Sequence, residues 1–155
     1  VEEIVKRLIS LNKTISTMES CTGGYLANEI TNIEGSSSVL KFSAVTYSNE
    51  YKIKMGVNEE IINKYTVYSI ETAKEMSKKI SDFTNSDYGI GITGKINKID
   101  PANLVGEDNL IFVSIYDKNM NTYHTLEIKA LDKTRLENKK MIIDKIVENL
   151  LLIIG

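Results

Sequence analysis

Short β-prone runs and helical stretches alternate along the chain as far as Gly94, and a hairpin pattern then follows. Ile4, Val5, Leu8 and Leu11 recur at helical spacing, which predicts an amphipathic helix over 2–12. Thr14–Met18 reads as a first strand, punctuated by Gly23-Gly24, and Tyr25–Thr31 resumes as helix. Gly35-Ser36-Ser37-Ser38 reads as a turn and helix N-cap. Phe42–Tyr47 predicts a second, buried strand, followed by short helices at Glu50–Met55 and Glu59–Tyr65. Ser69 opens a longer helix in which Ala73, Met76 and Ile80 share a face. Tyr88–Thr93 is a compact β run ending at Gly94. Leu110–Tyr116 and Thr122–Lys129 pair as a hairpin across Asp117–Asn121. Asp132–Ile154 predicts the last helix, with Leu136, Ile143, Val147, Leu150 and Ile154 on one stripe. Strands separated by helices favour parallel neighbours. The expected fold is therefore a layered α/β domain whose sheet is mostly parallel with one antiparallel strand.

No repeat, low-complexity tract or linker interrupts the 155 residues, so one domain over 1–155 is expected. A chain of this length buries a core without disulfides or a structural metal. Its 19 basic residues stand against 21 acidic ones, a balance that argues against a dedicated nucleic-acid binder. Only Arg7 and Arg135 are arginines; the other cations are lysines. The longest apolar run, Leu150–Ile154, is far too short to span a bilayer. Cys21 is the only cysteine and His124 the only histidine, which excludes an internal disulfide and a zinc-finger-type site. These features point to a cytoplasmic chain with no membrane or nucleic-acid partner. The first residues mix charge with apolar side chains and show no signal-peptide pattern. The start at Val1 instead of Met leaves room for residues or a whole domain upstream.

In sheets of this kind ligands sit beyond the carboxyl ends of the strands. Three such ends are chemically loaded: Glu19-Ser20-Cys21-Thr22-Gly23-Gly24, Tyr47-Ser48-Asn49-Glu50, and Thr93-Gly94. At the first, free N–H groups and a helix dipole would favour negative charge, and a hydroxyl could attack a carbonyl. Strand–Gly–helix turns are also common without any chemistry, so a plain turn stands as the rival reading. The spacing is not that of a phosphate loop.

A serine nucleophile needs a base. His124 lies inside a predicted hairpin strand and reads as an ordinary sheet residue. A Ser-Lys or Ser-Tyr-Lys arrangement is the other option, and Lys52 follows the second loaded segment. Lysine acts as a base only where burial or neighbouring charge depresses its pKa. Otherwise Lys52 is a solvated helix residue and Tyr47 a core aromatic. Cys21 is a rival nucleophile beside a helix N-terminus, but cysteine is commonly buried, and packing opposite to Ser20 is the preferred reading.

The conjunction of these blocks resembles one family. Glu19-Ser20-Cys21-Thr22-Gly23-Gly24, then Gly35-Ser36-Ser37, then Val45-Thr46-Tyr47-Ser48-Asn49-Glu50-x-Lys52-x-x-x-Gly56-Val57 is similar to the C-terminal domain of the competence/damage-inducible protein CinA. That family includes stand-alone nicotinamide-nucleotide amidases of the PncC type. More loosely, Asp87–Gly94 falls where the family has a strand ending in Thr-Gly, and a long C-terminal helix closes both. The resemblance implies a three-layer α/β/α sandwich with a five-stranded mixed sheet, similar to anticodon-binding-type domains. It implies hydrolysis of the carboxamide of nicotinamide mononucleotide to the acid nucleotide and ammonia. By this likeness Ser20 is the nucleophile and Lys52 and Tyr47 handle its proton, with no metal or cofactor. Thr22, Gly23, Gly24, Ser48, Asn49, Thr93, Gly94, Lys133 and Arg135 would then contact a small-molecule nucleotide. Family members commonly form homo-oligomers, and Ile142, Ile146 and Leu151 could serve a partner, although a buried helix would show the same pattern.

Three departures from the family pattern fall on the ligand side. Thr93-Gly94 is followed by Lys95-Ile96-Asn97-Lys98-Ile99-Asp100-Pro101 in place of a Gly-Pro-rich loop. Asn103-Leu104-Val105-Gly106 keeps only Val-Gly of the usual Lys-Pro-Val-Gly, and Glu107-Asp108-Asn109 is inserted after it. Leu131-Asp132-Lys133 replaces Gly-Asp-Arg, with Arg135 close by as a substitute. A lysine holds phosphate as a point charge without arginine's fork. The altered 95–109 segment therefore leaves two alternatives: a paralogue acting on another amide, and a ligand-binding member without turnover.

Overall fold

The computed structural model describes residues 1–96 and 108–155. Five strands, β1 (Ile15–Glu19), β2 (Ser43–Val45), β3 (Tyr88–Gly94), β4 (Leu110–Asp117) and β5 (Thr122–Lys129), form one sheet in the order β2-β1-β3-β4-β5. Six α-helices accompany them: α1 (Glu2–Leu11), α2 (Tyr25–Thr31), α3 (Asn49–Lys54), α4 (Glu59–Tyr65), α5 (Ile70–Thr84) and α6 (Arg135–Ile154). Ser36–Ser38 forms a single 3-10 turn entered through Gly35.

The sheet is evenly mixed, which corrects the expectation of a mostly parallel one. β1 pairs in parallel with β2 and β3, whereas β3–β4 and β4–β5 are antiparallel. β4 alone runs against the other strands. Because it lies between β3 and β5, that one reversal makes both pairings on its side antiparallel.

Apolar side chains fill both faces of the sheet. On one face Ile15, Tyr88, Ile90, Ile92, Ile111, Val113, Ile115 and Ile128 pack with Ile4, Val5 and Leu8 of α1, Leu26 and Ile30 of α2, and the buried side of α6. On the other, Met18 meets Met76 and Ile80 of α5, together with Val57, Ile62 and Val67. Strand alternation sorts these sets, since neighbouring residues point to opposite faces. α5 lies close against β3 because the residues beneath it are small. A Cβ on Gly89 would fall 2.1 Å from the Ser77 carbonyl oxygen, and one on Gly91 would fall 2.4 Å from that of Ala73. The Ser77 hydroxyl donates to Ser114 Oγ at 2.9 Å and ties α5 to β4 as well.

Two further expectations are revised. The second strand is short and lies at an edge, with Phe42 and Val45 42% and 54% exposed, because β2 has a neighbour on one side only. The buried stripe of α6 is Ile142, Ile143, Ile146, Leu150 and Ile154, while Leu136 is exposed and Val147 half-buried. Ile142 and Ile146 are therefore core residues and offer no partner face. Among the described residues no helix is long and apolar enough to cross a membrane.

Candidate active site

The carboxyl ends of the parallel strands β1, β2 and β3 meet at Ser20. Its N–H donates to the Ile92 carbonyl at 2.9 Å, the last rung between β1 and β3. The chain then turns: Gly23 N–H donates to the Ser20 carbonyl at 2.9 Å, and Gly23 and Gly24 take φ values of 61° and 91°. Glycine adopts that left-handed backbone without the steric cost of a Cβ.

Glu19 holds the turn from beneath. Its carboxylate is fully buried and accepts four hydrogen bonds. They come from the Thr22 hydroxyl at 2.7 Å, the Leu26 and Ala27 N–H groups at 3.0 Å each, and the Thr17 hydroxyl at 3.0 Å. Four donors satisfy a charge that would otherwise be costly to bury. Gly24, at the N-cap of α2, has no side chain for this task, so a strand residue caps the helix from outside. Two of the N–H groups expected to be open to an anion at this helix end, those of Leu26 and Ala27, are thus taken by Glu19.

Lys52 approaches from α3. The Ser48 side chain caps that helix by accepting from Tyr51 N–H at 3.3 Å, and Asn49 sits half-buried in its first turn. Lys52 is only 1% exposed, so it is not the solvated residue that its abundance in the chain suggests. Its Nζ lies 2.9 Å from Ser20 Oγ and 2.6 Å from the Thr46 carbonyl oxygen. Thr46 is fixed in turn by its N–H, which donates to the Glu19 carbonyl at 2.8 Å. The Thr46 hydroxyl is buried and has no hydrogen-bond partner among the described residues.

Tyr47 stands apart from this pair. It is 65% exposed, and its hydroxyl accepts from Arg135 Nη2 at 3.4 Å. Arg135 also donates through Nη1 to the Ile96 carbonyl at 2.7 Å, so α6, the segment after β2 and the segment after β3 are linked through one guanidinium. Lys133 is exposed in the loop before α6. Thr93 is buried, and its hydroxyl donates to the Val67 carbonyl at 2.7 Å, while Gly94 packs its α-carbon against β4. Thr22 and Thr93 thus spend their hydroxyls within the fold, while Gly23 and Gly24 shape the turn. The departures expected at 97–101 and 103–107 lie outside the described residues.

Cys21 faces the opposite way from Ser20, into the core between sheet and helices. Burial pushes its thiol up to about 12, against the pull of the Lys52 and Arg135 charges. A thiol held neutral in this way is a poor nucleophile at ordinary pH. His124 is exposed on β5, opposite Ile115 of β4.

The sequence reading gave no role to Glu19, Thr46 or Lys95. An acid between a strand and a Gly-Gly turn is a cue for Glu19, since the N-cap glycine leaves the helix uncapped. Lys95 is 3% exposed, with its Nζ 3.8 Å from the Asp108 carboxylate and 4.7 Å from the centre of the Tyr68 ring. Nothing in its local sequence signals that burial.

The family described as CinA C-terminal domain matches residues 1–151. A protein of Clostridium beijerinckii named as competence-damage inducible is 41% identical over 140 residues, covering 88% of this chain and 34% of that protein. A CinA-like protein of Kosmotoga olearia is 36% identical over 143 residues, covering 90% of this chain and 34% of its own length. The chain therefore spans about a third of these relatives. The crystal structure of the competence/damage inducible protein CihA from Agrobacterium tumefaciens superposes with a TM-score of 0.84 at 28% identity, over 97% of this chain and 93% of that one. A competence or damage-inducible protein from Enterobacter asburiae shares the fold at a TM-score of 0.88 and 21% identity, over 99% of this chain and 98% of that one. With the family match running through nearly all its residues, this chain belongs to the CinA C-terminal domain family.

Proposed function

We propose that the protein is an amidase that hydrolyses the carboxamide of nicotinamide mononucleotide, with Ser20 as nucleophile and Lys52 as its base. The observation that carries the reading is the 2.9 Å contact between Lys52 Nζ and Ser20 Oγ, both buried at the strand ends. Membership of a family that includes nicotinamide-nucleotide amidases supplies the substrate class.

The geometry suits proton transfer in both directions. A neutral lysine amine keeps two N–H groups and one lone pair. One N–H can remain on the Thr46 carbonyl while the lone pair receives the Ser20 proton. Ser20 Oγ then attacks the amide carbon. The resulting ammonium returns the proton to the departing nitrogen, ammonia leaves, and an ester to Ser20 remains. Water, deprotonated by the same amine, cleaves that ester to the carboxylate and frees the serine. Tyr47, at the rim beside Arg135, acts in this reading on the bound substrate and on proton exchange with solvent.

Ammonia release from nicotinamide mononucleotide by the wild-type protein and by Ser20→Ala tests the proposal. Turnover that disappears in the variant is the expected result. A folded wild-type protein without turnover overturns the substrate, and a panel of other amides then distinguishes a changed specificity from lost chemistry.

A further inference from the structure

We infer that the Thr46 hydroxyl, beside Lys52, marks the position where the amide nitrogen leaves and water enters. The inference rests on the serine–lysine chemistry proposed above and adds a residue to it. Thr46 is 1% exposed, and its Oγ1 is buried without a hydrogen-bond partner among the described residues. Neighbouring buried hydroxyls are spent within the fold: those of Thr17 and Thr22 donate to Glu19, and that of Thr93 donates to the Val67 carbonyl. An unpaired buried hydroxyl costs stability, so this one calls for a partner that arrives with the reaction. The strand register sets where that partner sits. Val45 pairs with Glu19, and Thr46 N–H donates to the Glu19 carbonyl at 2.8 Å, which brings Thr46 abreast of Ser20. Val45 faces α2, since a Cβ on Gly24 would lie 3.2 Å from its Cγ2, and Glu19 faces α2 to reach the Leu26 and Ala27 N–H groups. By alternation the next residue of each, Thr46 and Ser20, faces the other side of the sheet. Lys52 Nζ lies between them, at Ser20 Oγ and the Thr46 carbonyl oxygen.

The amine that takes the Ser20 proton must hand it to the amide nitrogen, so that nitrogen sits against Lys52 Nζ as the C–N bond breaks. Ammonia then departs. In the second half of the reaction water takes the same position. It gives a proton to Lys52 as its oxygen bonds to the ester carbon, and the ester bond breaks as that proton returns to Ser20 Oγ. Ammonia and water are alike in size, and a hydroxyl both accepts and donates. Thr46 accordingly accepts from the nitrogen, most strongly once the extra proton has arrived, and then holds the water. A contact that strengthens along the reaction acts on the rate more than on binding.

Thr46→Val keeps the shape and removes the hydroxyl, whereas Thr46→Ser keeps the hydroxyl; both are compared with wild type. Thr46→Val is expected to unfold at the same urea concentration as wild type or a higher one, because an unpaired buried group is gone. A clear loss of stability would show a hydroxyl already paired in the resting protein and overturn the assignment. With nicotinamide mononucleotide, kcat of Thr46→Val should fall roughly tenfold with KM little changed, and Thr46→Ser should keep most of the wild-type rate. Wild-type kcat in Thr46→Val, or an equal loss in Thr46→Ser, overturns it. p-Nitrophenyl acetate, an activated ester that needs no nucleotide site, separates this inference from the choice of substrate. The acetyl group on Ser20, followed by intact mass, should clear roughly tenfold more slowly in Thr46→Val than in wild type. That result supports the position even where wild type does not turn over nicotinamide mononucleotide. Equal clearance overturns it even where the nucleotide is a substrate, and so does a Ser20 that takes an acyl group from neither compound.

Discussion

Lys52 and Ser20 stand 32 residues apart in the chain and 2.9 Å apart in space, one on a helix and the other where a strand leaves the sheet. The contact exists because both segments are anchored to the same carboxyl end of β1. Glu19 accepts the Thr46 N–H through its backbone and fixes the serine turn through its side chain. In the proposed reaction Lys52 must be neutral to take the serine proton, so kcat/KM should rise with pH. Lys52→Arg, which keeps its charge at all working pH values, should lose roughly a thousandfold or more at every pH. A flat pH–rate profile in wild type would remove Lys52 as base.

Cys21 should be chemically silent in the folded protein. Its thiol is raised from an ordinary 9.0 to about 12 by burial, so it keeps its proton through the neutral and mildly alkaline range. Iodoacetamide should label it only after denaturation. Cys21→Ala should keep wild-type turnover at a stability cost of about 1 kcal/mol. Loss of turnover in that variant with retention in Ser20→Ala would reverse the nucleophile assignment.

Glu19→Gln should weaken both fold and rate. The amide nitrogen cannot accept, so one side of the carboxylate turns from acceptor to donor against buried donors. The backbone N–H on that side loses its acceptor, while the threonine hydroxyl there can turn to accept, for about 2 kcal/mol in urea unfolding. kcat should fall with little change in KM, because the serine turn loosens while the α6 contacts remain.

Gly91→Ala tests the close approach of α5. The new methyl would meet the Ala73 carbonyl oxygen at 2.4 Å and the Ser77 nitrogen at 2.7 Å, both backbone atoms. The helix must shift outward, at a cost of about 3 kcal/mol in equilibrium unfolding. An unchanged midpoint would mean that α5 is looser on the sheet than this geometry requires.

Asp87 should make stability acid-sensitive. Burial works to raise its carboxyl, but hydrogen bonds from Thr14 and Asn119 and the Lys13 charge outweigh it and hold the group below the ordinary 3.8. A depressed folded pKa contributes stability that is present above 3.8 and is lost as pH falls through the lower folded value. Unfolding curves at falling pH should show that loss in wild type and a smaller slope in Asp87→Asn.

The sequence carried the element order well because each element has a local cause. Periodic apolar residues mark α1 and α5, Gly-Gly ends the first turn, and Asp117–Asn121 closes the hairpin. The balance of parallel and antiparallel pairings was not legible. A hairpin shows which strands pair with each other, but not which of them docks on β3. In α6 the expected Ile143, Leu150 and Ile154 are buried, but the covered face extends to Ile142 and Ile146 instead of to Val147, and only the sheet beneath decides which flank of the stripe is covered. At the site, the motif spacing pointed to Ser20 and Lys52. The capping role of Glu19 had a local cue in the uncapped Gly-Gly turn that went unused, whereas the approach of Lys139 to Gly23 arises where distant elements meet, and short-range patterns contain no trace of it.

β2 is three residues long, pairs on one side only and is followed directly by the residues that hold Lys52. Ser20 belongs to the interior of the sheet, whereas Lys52 is borne by the margin. Local opening of that margin has a far smaller free-energy cost than melting the whole domain. On the proposed mechanism, activity under heat or denaturant should then be lost before the large apolar core unfolds.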